Sequence, residues 1–254
     1  MRKSVLGLAL LSATALSAPA FAQDAGGHDW TGAYWGVNAG GAWGRANQSY
    51  STTGGSYLGG QDVTNFNNAG NTRNKSSGFT GGAQIGWNWQ LGPNMVWGVE
   101  GDFNALDLNR SSSVTTAYTA APGATYTQSQ GVRTRWLATI RPRIGWTMNG
   151  NNLLYATGGV AMADIRTYSS FSDNLMTPGA GYSSSKSTRT GWTAGVGDEM
   201  ALTNHMSVKA EYLYADLGHN RNGSTITGAS GSAPAYQTTH FKANILRVGL
   251  NWRF

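Results

Sequence analysis

Two sets of titratable residues in this chain are spaced for chemistry, and they point to different kinds. The four histidines are His28, His205, His219 and His240. Only His219 and His240 bracket one polar stretch, with Asp216 close by. Two imidazoles and a carboxylate could move a proton or hold a metal or haem. No HExxH, GxSxG or paired-cysteine motif accompanies them. They therefore read as solvated residues, and no catalytic, cofactor-binding or metal-binding residue is assigned.

The second set alternates with apolar residues. Glu100, Asp102 and Glu211 each stand between two residues that are apolar, aromatic or glycine, and so do Arg141, Arg143, Lys209 and Arg247, while Glu199 stands between Asp198 and Met200. Charges at every second residue share one face of a β-strand. Arg135 and Arg253 follow the same phase, making four acids against six bases. A charge without a partner in a narrow interior would cost several kcal/mol. Pairing of Glu100 and Asp102 with Arg141 and Arg143 is the expected arrangement.

Among the elements that carry these residues, the stretch 82–103 reads GAQIGWNWQLGPNMVWGVEGDF. Ala83, Ile85, Trp87 and Trp89 alternate with polar or small residues before an LGPN turn, and Met95, Trp97, Val99 and Phe103 do so after it. That is a β-hairpin with one apolar and one polar face. The pattern recurs to give eight strands. The short connections are 91–94, 147–152 and 203–206; the long, polar ones are 46–76, 107–132, 165–188 and 218–239. Strict alternation of short and long connections is the mark of an outer-membrane barrel, with short periplasmic turns and long extracellular loops. The fold class is an all-β, eight-stranded antiparallel transmembrane β-barrel. Trp87, Trp89 and Trp97 then form the lower aromatic girdle, and Trp43, Phe79, Phe103, Trp136 and Trp192 the upper one.

Composition agrees. Charged residues make up 12%, with 36 Gly, 10 Trp and 11 Tyr, as expected where only alternate residues meet lipid. Residues 1–22 read as a signal peptide: Arg2 and Lys3, an apolar run, then Ala20-Phe21-Ala22. Residues 23–254 form the barrel. With no cysteine, disulfides and a lipoprotein anchor are excluded.

Further expectations concern the edges. Leu250, Trp252 and the terminal Phe254 form an assembly signal for the outer-membrane assembly machinery. Among the bases of the extracellular half, Arg135, Arg189 and Lys242 near the strand tops suit lipopolysaccharide phosphate, because guanidinium forks match phosphate oxygens. Nucleic acid is excluded for bases on a cell-surface rim. Asp198 falls on the outward phase of strand six and either reaches periplasmic headgroups or turns inward through a bulge at 195–197. Pro142 removes a ladder donor, so a bulge is expected there.

Several blocks carry a resemblance: YWGVNAGGAWG (34–44), WLATIRPRIGW (136–146), SVKAEYLYADLG (207–218) and RVGLNWRF (247–254). They resemble the small porin-like outer-membrane proteins of alphaproteobacteria, the opacity-type surface antigens that include haemin-binding members. The resemblance implies an eight-stranded outer-membrane barrel without known catalytic residues. Taken with the strands, rim and loops, the expected function is that of a surface protein with an envelope-structural role, touching lipid and lipopolysaccharide and displaying loops. A narrow porin-like channel or a haemin-binding receptor is the alternative, with haemin or host surface molecules as partners.

Overall fold

In a computed structural model, residues 28–228 and 231–254 are described. The segment read as a signal peptide lies outside them. Eight strands, β1 (Gly32–Thr52), β2 (Asn71–Gln90), β3 (Met95–Ala117), β4 (Thr125–Met148), β5 (Asn152–Asp173), β6 (Ala180–Ala201), β7 (Met206–Gly228) and β8 (Gly231–Arg253), form a closed barrel in chain order. Every neighbouring pair is antiparallel. The chain ends pair with each other, since Trp35 faces Trp252 and Val37 faces Leu250. That pairing removes the last free edge.

The expected barrel is present, but its strands are about twice the expected length, at 20 to 24 residues. At roughly 3.3 Å per residue and a tilt near 40°, they rise about twice the ~25 Å apolar band of a barrel of this kind. Most of the stretches read as long polar loops are strand. The reason is a reversal of polarity within one unbroken alternation. On β8, Leu246, Val248 and Leu250 point out and Arg247 and Asn251 point in. Nearer the extracellular end of the same strand, Ile245, Ala243 and Phe241 are buried inside, and Asn244, Lys242 and His240 lie outside. The lower half is apolar outside; the upper half is polar outside, as in a water-soluble sandwich.

Inside the upper half lies an apolar core that the sequence reading did not anticipate. Ala42, Leu106, Leu108, Leu137, Leu213 and Phe241 belong to it. Above it, helix α1 (Gly60–Ala69), in the connection from β1 to β2, closes the extracellular end. Its Phe66 packs on Tyr50, Tyr126 and Phe171 at ring distances of 5.1, 6.1 and 6.0 Å. Asp62 in the first turn accepts from the amides of Thr119 and Ala120, at 2.6 and 3.2 Å, where it also meets the positive end of the helix. Asp173 ties three connections together: it accepts from Tyr57, from the Tyr118 hydroxyl at 2.8 Å, and from the Gly179 amide at 3.0 Å. Burial and this carboxylate push the Tyr57 hydroxyl up to about 12.

Local geometry corrects two expectations and decides a third. A register shift between Thr134 and Leu137 turns Arg135 outward, exposed, instead of into the interior. At Pro142 no shift occurs: Val99 pairs with it, and Thr157 Oγ1 donates to its carbonyl at 2.9 Å. Asp198 is outward and exposed, in a continuous ladder between Leu154 and Ala210 with no bulge at 195–197.

The upper wall is not uniformly zipped. The β2–β3 ladder stops at Thr80 and Leu106, and between Ala180 and Trp192 the β6–β7 ladder is interrupted. Two seams on opposite sides thus divide the extracellular half into a β7-β8-β1-β2 sheet and a β3-β4-β5-β6 sheet. Backbone amides in residues 181–191 that face β7 are expected to exchange with deuterium about tenfold or more faster than those of the paired β4–β5 segment at residues 126–134. Peptide-resolved exchange measurements showing equal protection would contradict the seam.

Candidate functional site: a neutral charge layer and a basic outer wall

The inward phase of the membrane-spanning half brings eight charged side chains into one layer. Arg141 on β4 is its hub. Its guanidinium lies 2.7 Å from Glu100, 2.8 Å from Asp102 and 3.1 Å from Glu211. Arg247 on β8 reaches Glu211 at 2.6 Å and Asp102 at 3.2 Å. Lys209 on β7 donates to Glu100 at 2.7 Å. Arg143 pairs with Glu199 at 2.9 Å, and Glu199 also accepts from Ser207 at 2.5 Å and Asn251 at 2.8 Å. Every one of these charged side chains is 2% exposed or less.

The layer holds four acids and four bases, so it is neutral. Of the six bases expected there, two are elsewhere. Arg135 is outside the wall, as described above. Arg253 closes the periplasmic end, donating to His28 Nε2 at 2.5 Å and to the Asp29 carbonyl at 2.6 Å, with its guanidinium over the Trp30 ring. Burial, followed by the Arg253 cation, lowers the His28 imidazole from 6.5 to about 4. It is neutral at physiological pH and free to accept.

Two tyrosines and two glycines complete the layer, and none was singled out from the sequence. Arg143 is sandwiched between the rings of Tyr34 and Tyr155, at 4.9 and 5.0 Å. The tyrosines also donate to Glu100 and Glu211, at 2.8 and 3.0 Å. Each ring lies over a glycine of the next strand. A Cβ at Gly86 would stand 2.3 Å from Tyr34, and one at Gly197 would stand 2.5 Å from Tyr155. Inward-phase glycines opposite inward-phase tyrosines were the available signal.

The rim residues are not brought together. Arg189 lies on the half-buried phase of β6 and donates to Asn220 and, at 3.2 Å, to Ser187. Lys242 is half-exposed and 3.4 Å from Asp216, which His240 contacts at 2.9 Å. His219 stacks on His240 at 4.1 Å. Among the described residues, no three metal-ligating side chains converge. At the carboxyl terminus, Trp252 stacks on Trp35 at 4.9 Å, Leu250 points outward, and Phe254 is 83% exposed.

Sequence comparisons with known proteins agree with this architecture. The family model described as outer membrane protein beta-barrel domain matches residues 8–254. The 31 kDa outer-membrane immunogenic protein of Brucella melitensis is 32% identical over 225 residues, covering 89% of this chain and 84% of that protein. A 22 kDa outer membrane protein of Rhizobium leguminosarum is 32% identical over 164 residues, covering 64% and 63%. Among solved structures, OprG from Pseudomonas aeruginosa aligns over 90% of this chain and 99% of its own, with 11% identity and a TM-score of 0.45.

Replacing Arg141 with Ala leaves three carboxylates facing one another without their shared cation, so a loss of about 3–5 kcal/mol is expected in urea unfolding from lipid vesicles. Arg135→Ala, outside the wall, should stay within about 0.5 kcal/mol of wild type. Equal effects would deny the network its structural role. The periplasmic closure makes a pH prediction. Because the His28 pKa is lowered, its stabilising contribution is complete above 6.5 and disappears as pH falls through about 4. A His28→Gln variant should show a flatter thermal-stability profile across that window, and superimposable profiles would contradict the assignment.

Proposed function

Because the chain belongs to the outer-membrane β-barrel protein family, we propose that it stabilises the envelope and displays its extracellular half, rather than serving as a diffusion channel. It is an outer-membrane protein whose first strand begins and whose last strand ends at the periplasmic end. One observation carries the structural reading: the lumen is crossed by a neutral, buried charge layer with an apolar core above it. An eight-stranded barrel has room for side chains and little else. An ion crossing this one would have to displace Arg141 from three carboxylates at once.

Surface display is supported by how far the strands reach beyond the aromatic rim and by the helix and tyrosine clasp that hold their tips. The Brucella melitensis relative is named for its immunogenicity, which fits a surface-exposed part of this kind. Contact with lipopolysaccharide is supported by outward bases, Arg135 and Lys242 among them. Arg189 is engaged by Asn220 and contributes less to it. The carboxyl-terminal strand, ending outward on Leu250, Trp252 and Phe254, is the segment we assign to recognition by the outer-membrane assembly machinery.

The test is planar-bilayer recording with the refolded full-length protein. Wild type should show no sustained open level, and Arg141→Ala, which loosens the layer, should show intermittent small currents. A large, steady wild-type current would overturn the sealed-interior reading.

A further inference from the structure

The outer wall carries an arrangement that the paired interior does not explain. Lys75 on β2, Arg45 on β1 and Lys242 on β8 stand in one cross-strand row, Arg45 being the direct partner of both. Like charges directly opposite on a sheet repel, and here three stand side by side. Lys242 is the base with a counter-charge, Asp216 at 3.4 Å, and that carboxylate is shared with His240. Neither Arg45 nor Lys75 has an acidic partner among the described residues. The next row outward adds Arg73, opposite Asn47. The next row inward is Ser77, Trp43 and Asn244, with Trp43 outward and 49% exposed.

A surface cleft of about 290 Å³ lies here, lined by Trp43, Arg45, Lys75, Ser76, Ser77 and Asn244. We propose that this cleft and row form a site for the phosphate groups of an outer-leaflet glycolipid, lipopolysaccharide. The inference rests on the lipopolysaccharide-contact reading above and gives it a place. Depth is the first argument. Trp43 belongs to the upper aromatic girdle, where indoles mark the headgroup level, and Arg45 is two residues further out on the same strand. Spacing is the second. Neighbouring strands lie about 4.8 Å apart, so the three cations fall within about 10 Å, and one multiply phosphorylated headgroup can touch all of them. Chemistry is the third. A guanidinium fork and two ammonium groups are phosphate ligands, Ser77 and Asn244 offer neutral donors, and Trp43 offers an apolar face to acyl chains. Phosphate also cancels the repulsion within the row.

The opposite wall supplies an internal control. Arg133, Arg166 and Lys186 form a second row, but Arg166 has Asp164 at 3.4 Å, and Lys186 is six residues beyond Trp192 on its strand. Neutralising that row removes the same charge without touching the cleft.

The experiment measures binding of lipopolysaccharide to the folded full-length barrel in detergent micelles, with intact and with enzymatically dephosphorylated lipid. Inorganic phosphate is the competitor, and heat-modifiable gel mobility is the folding check. Wild type should prefer the phosphorylated lipid by about tenfold, three exposed contacts of about two- to threefold each together giving that. Lys75→Gln/Arg45→Gln/Lys242→Gln should lose that preference, and Arg133→Gln/Arg166→Gln/Lys186→Gln should keep it. If both triple variants lose binding equally, or neither does, the site is wrong while lipopolysaccharide contact stands. If wild type does not distinguish the two lipids, the contact reading falls with it. Inorganic phosphate competing as strongly as the intact lipid would overturn the lipid assignment. Should the first triple variant fail to fold, Arg45→Gln alone carries the test, with an expected loss of about threefold.

Discussion

A narrow barrel must fill its interior, and this one fills the membrane-spanning part with charge. Eight ionised side chains held away from water demand equal numbers, tight geometry and a hydrogen bond for each remaining lone pair. Four acids and four bases meet the first condition. The contacts of Arg141 to three carboxylates, and the tyrosine and serine donors to Glu100, Glu211 and Glu199, serve the other two. Arg143 Nη2 has no hydrogen-bond partner among the described residues, and its guanidinium lies between the Tyr34 and Tyr155 rings. An apolar filling of the same volume could be as stable or more so. What the charges add is register. A slip of β4 by one residue would send Arg141 and Arg143 into lipid and bring Ile140, Pro142 and Ile144 inside. With partners on β3, β6, β7 and β8, the layer fixes how those strands meet, and Tyr34 on β1 and Tyr155 on β5 carry the constraint round the ring.

The same alternation serves two solvents in turn. From Leu250 up to Leu246 on β8, the outward residues are apolar because lipid is outside; from Asn244 upward they are polar because water is. The inward phase reverses with them, from Arg247 and Asn251 to Ile245, Ala243 and Phe241. In the membrane, tight closure is obligatory, since an unpaired amide in hydrocarbon finds no water. Above it that demand lapses. The two seams, at β2–β3 and β6–β7, lie in the extracellular half, where opened amides can be hydrated.

This reversal explains what could be read from the residues and what could not. The membrane-facing strands were legible because lipid enforces apolar residues at every second position, and the charge partners were legible because their phase was opposite. The upper strands, rich in Ser, Thr and Asn, looked like loops because the buried half of their alternation is small or polar: Ala46 and Gln48 on β1, Gln128 and Gln130 on β4, Thr167 and Ser169 on β5. A residue that packs without bulk leaves little hydrophobic signal. Arg135 was misplaced because one register shift reverses the phase of everything beyond it, and no residue type announces a shift of that kind. Helix α1 was hidden for another reason. Gly59 caps it without a side-chain bond, and its stability comes from Phe66 and Asp62 reaching partners far away in the chain.

Interior and exterior are linked through the distribution of acids. The chain has 12 acidic residues against 18 lysines and arginines, and four of the 12 are committed to the lumen. Asp62 is taken by two backbone amides and Asp173 by the tyrosine clasp. Asp216 is divided between His240 and Lys242. With so many carboxylates engaged, the bases of the outer wall stand largely without protein counter-charge. The positive rim therefore follows from the way the inside is neutralised and the tips are tied. On the lipopolysaccharide contact proposed above, a wall that is basic at headgroup depth would take its missing anions from the phosphate of the outer leaflet.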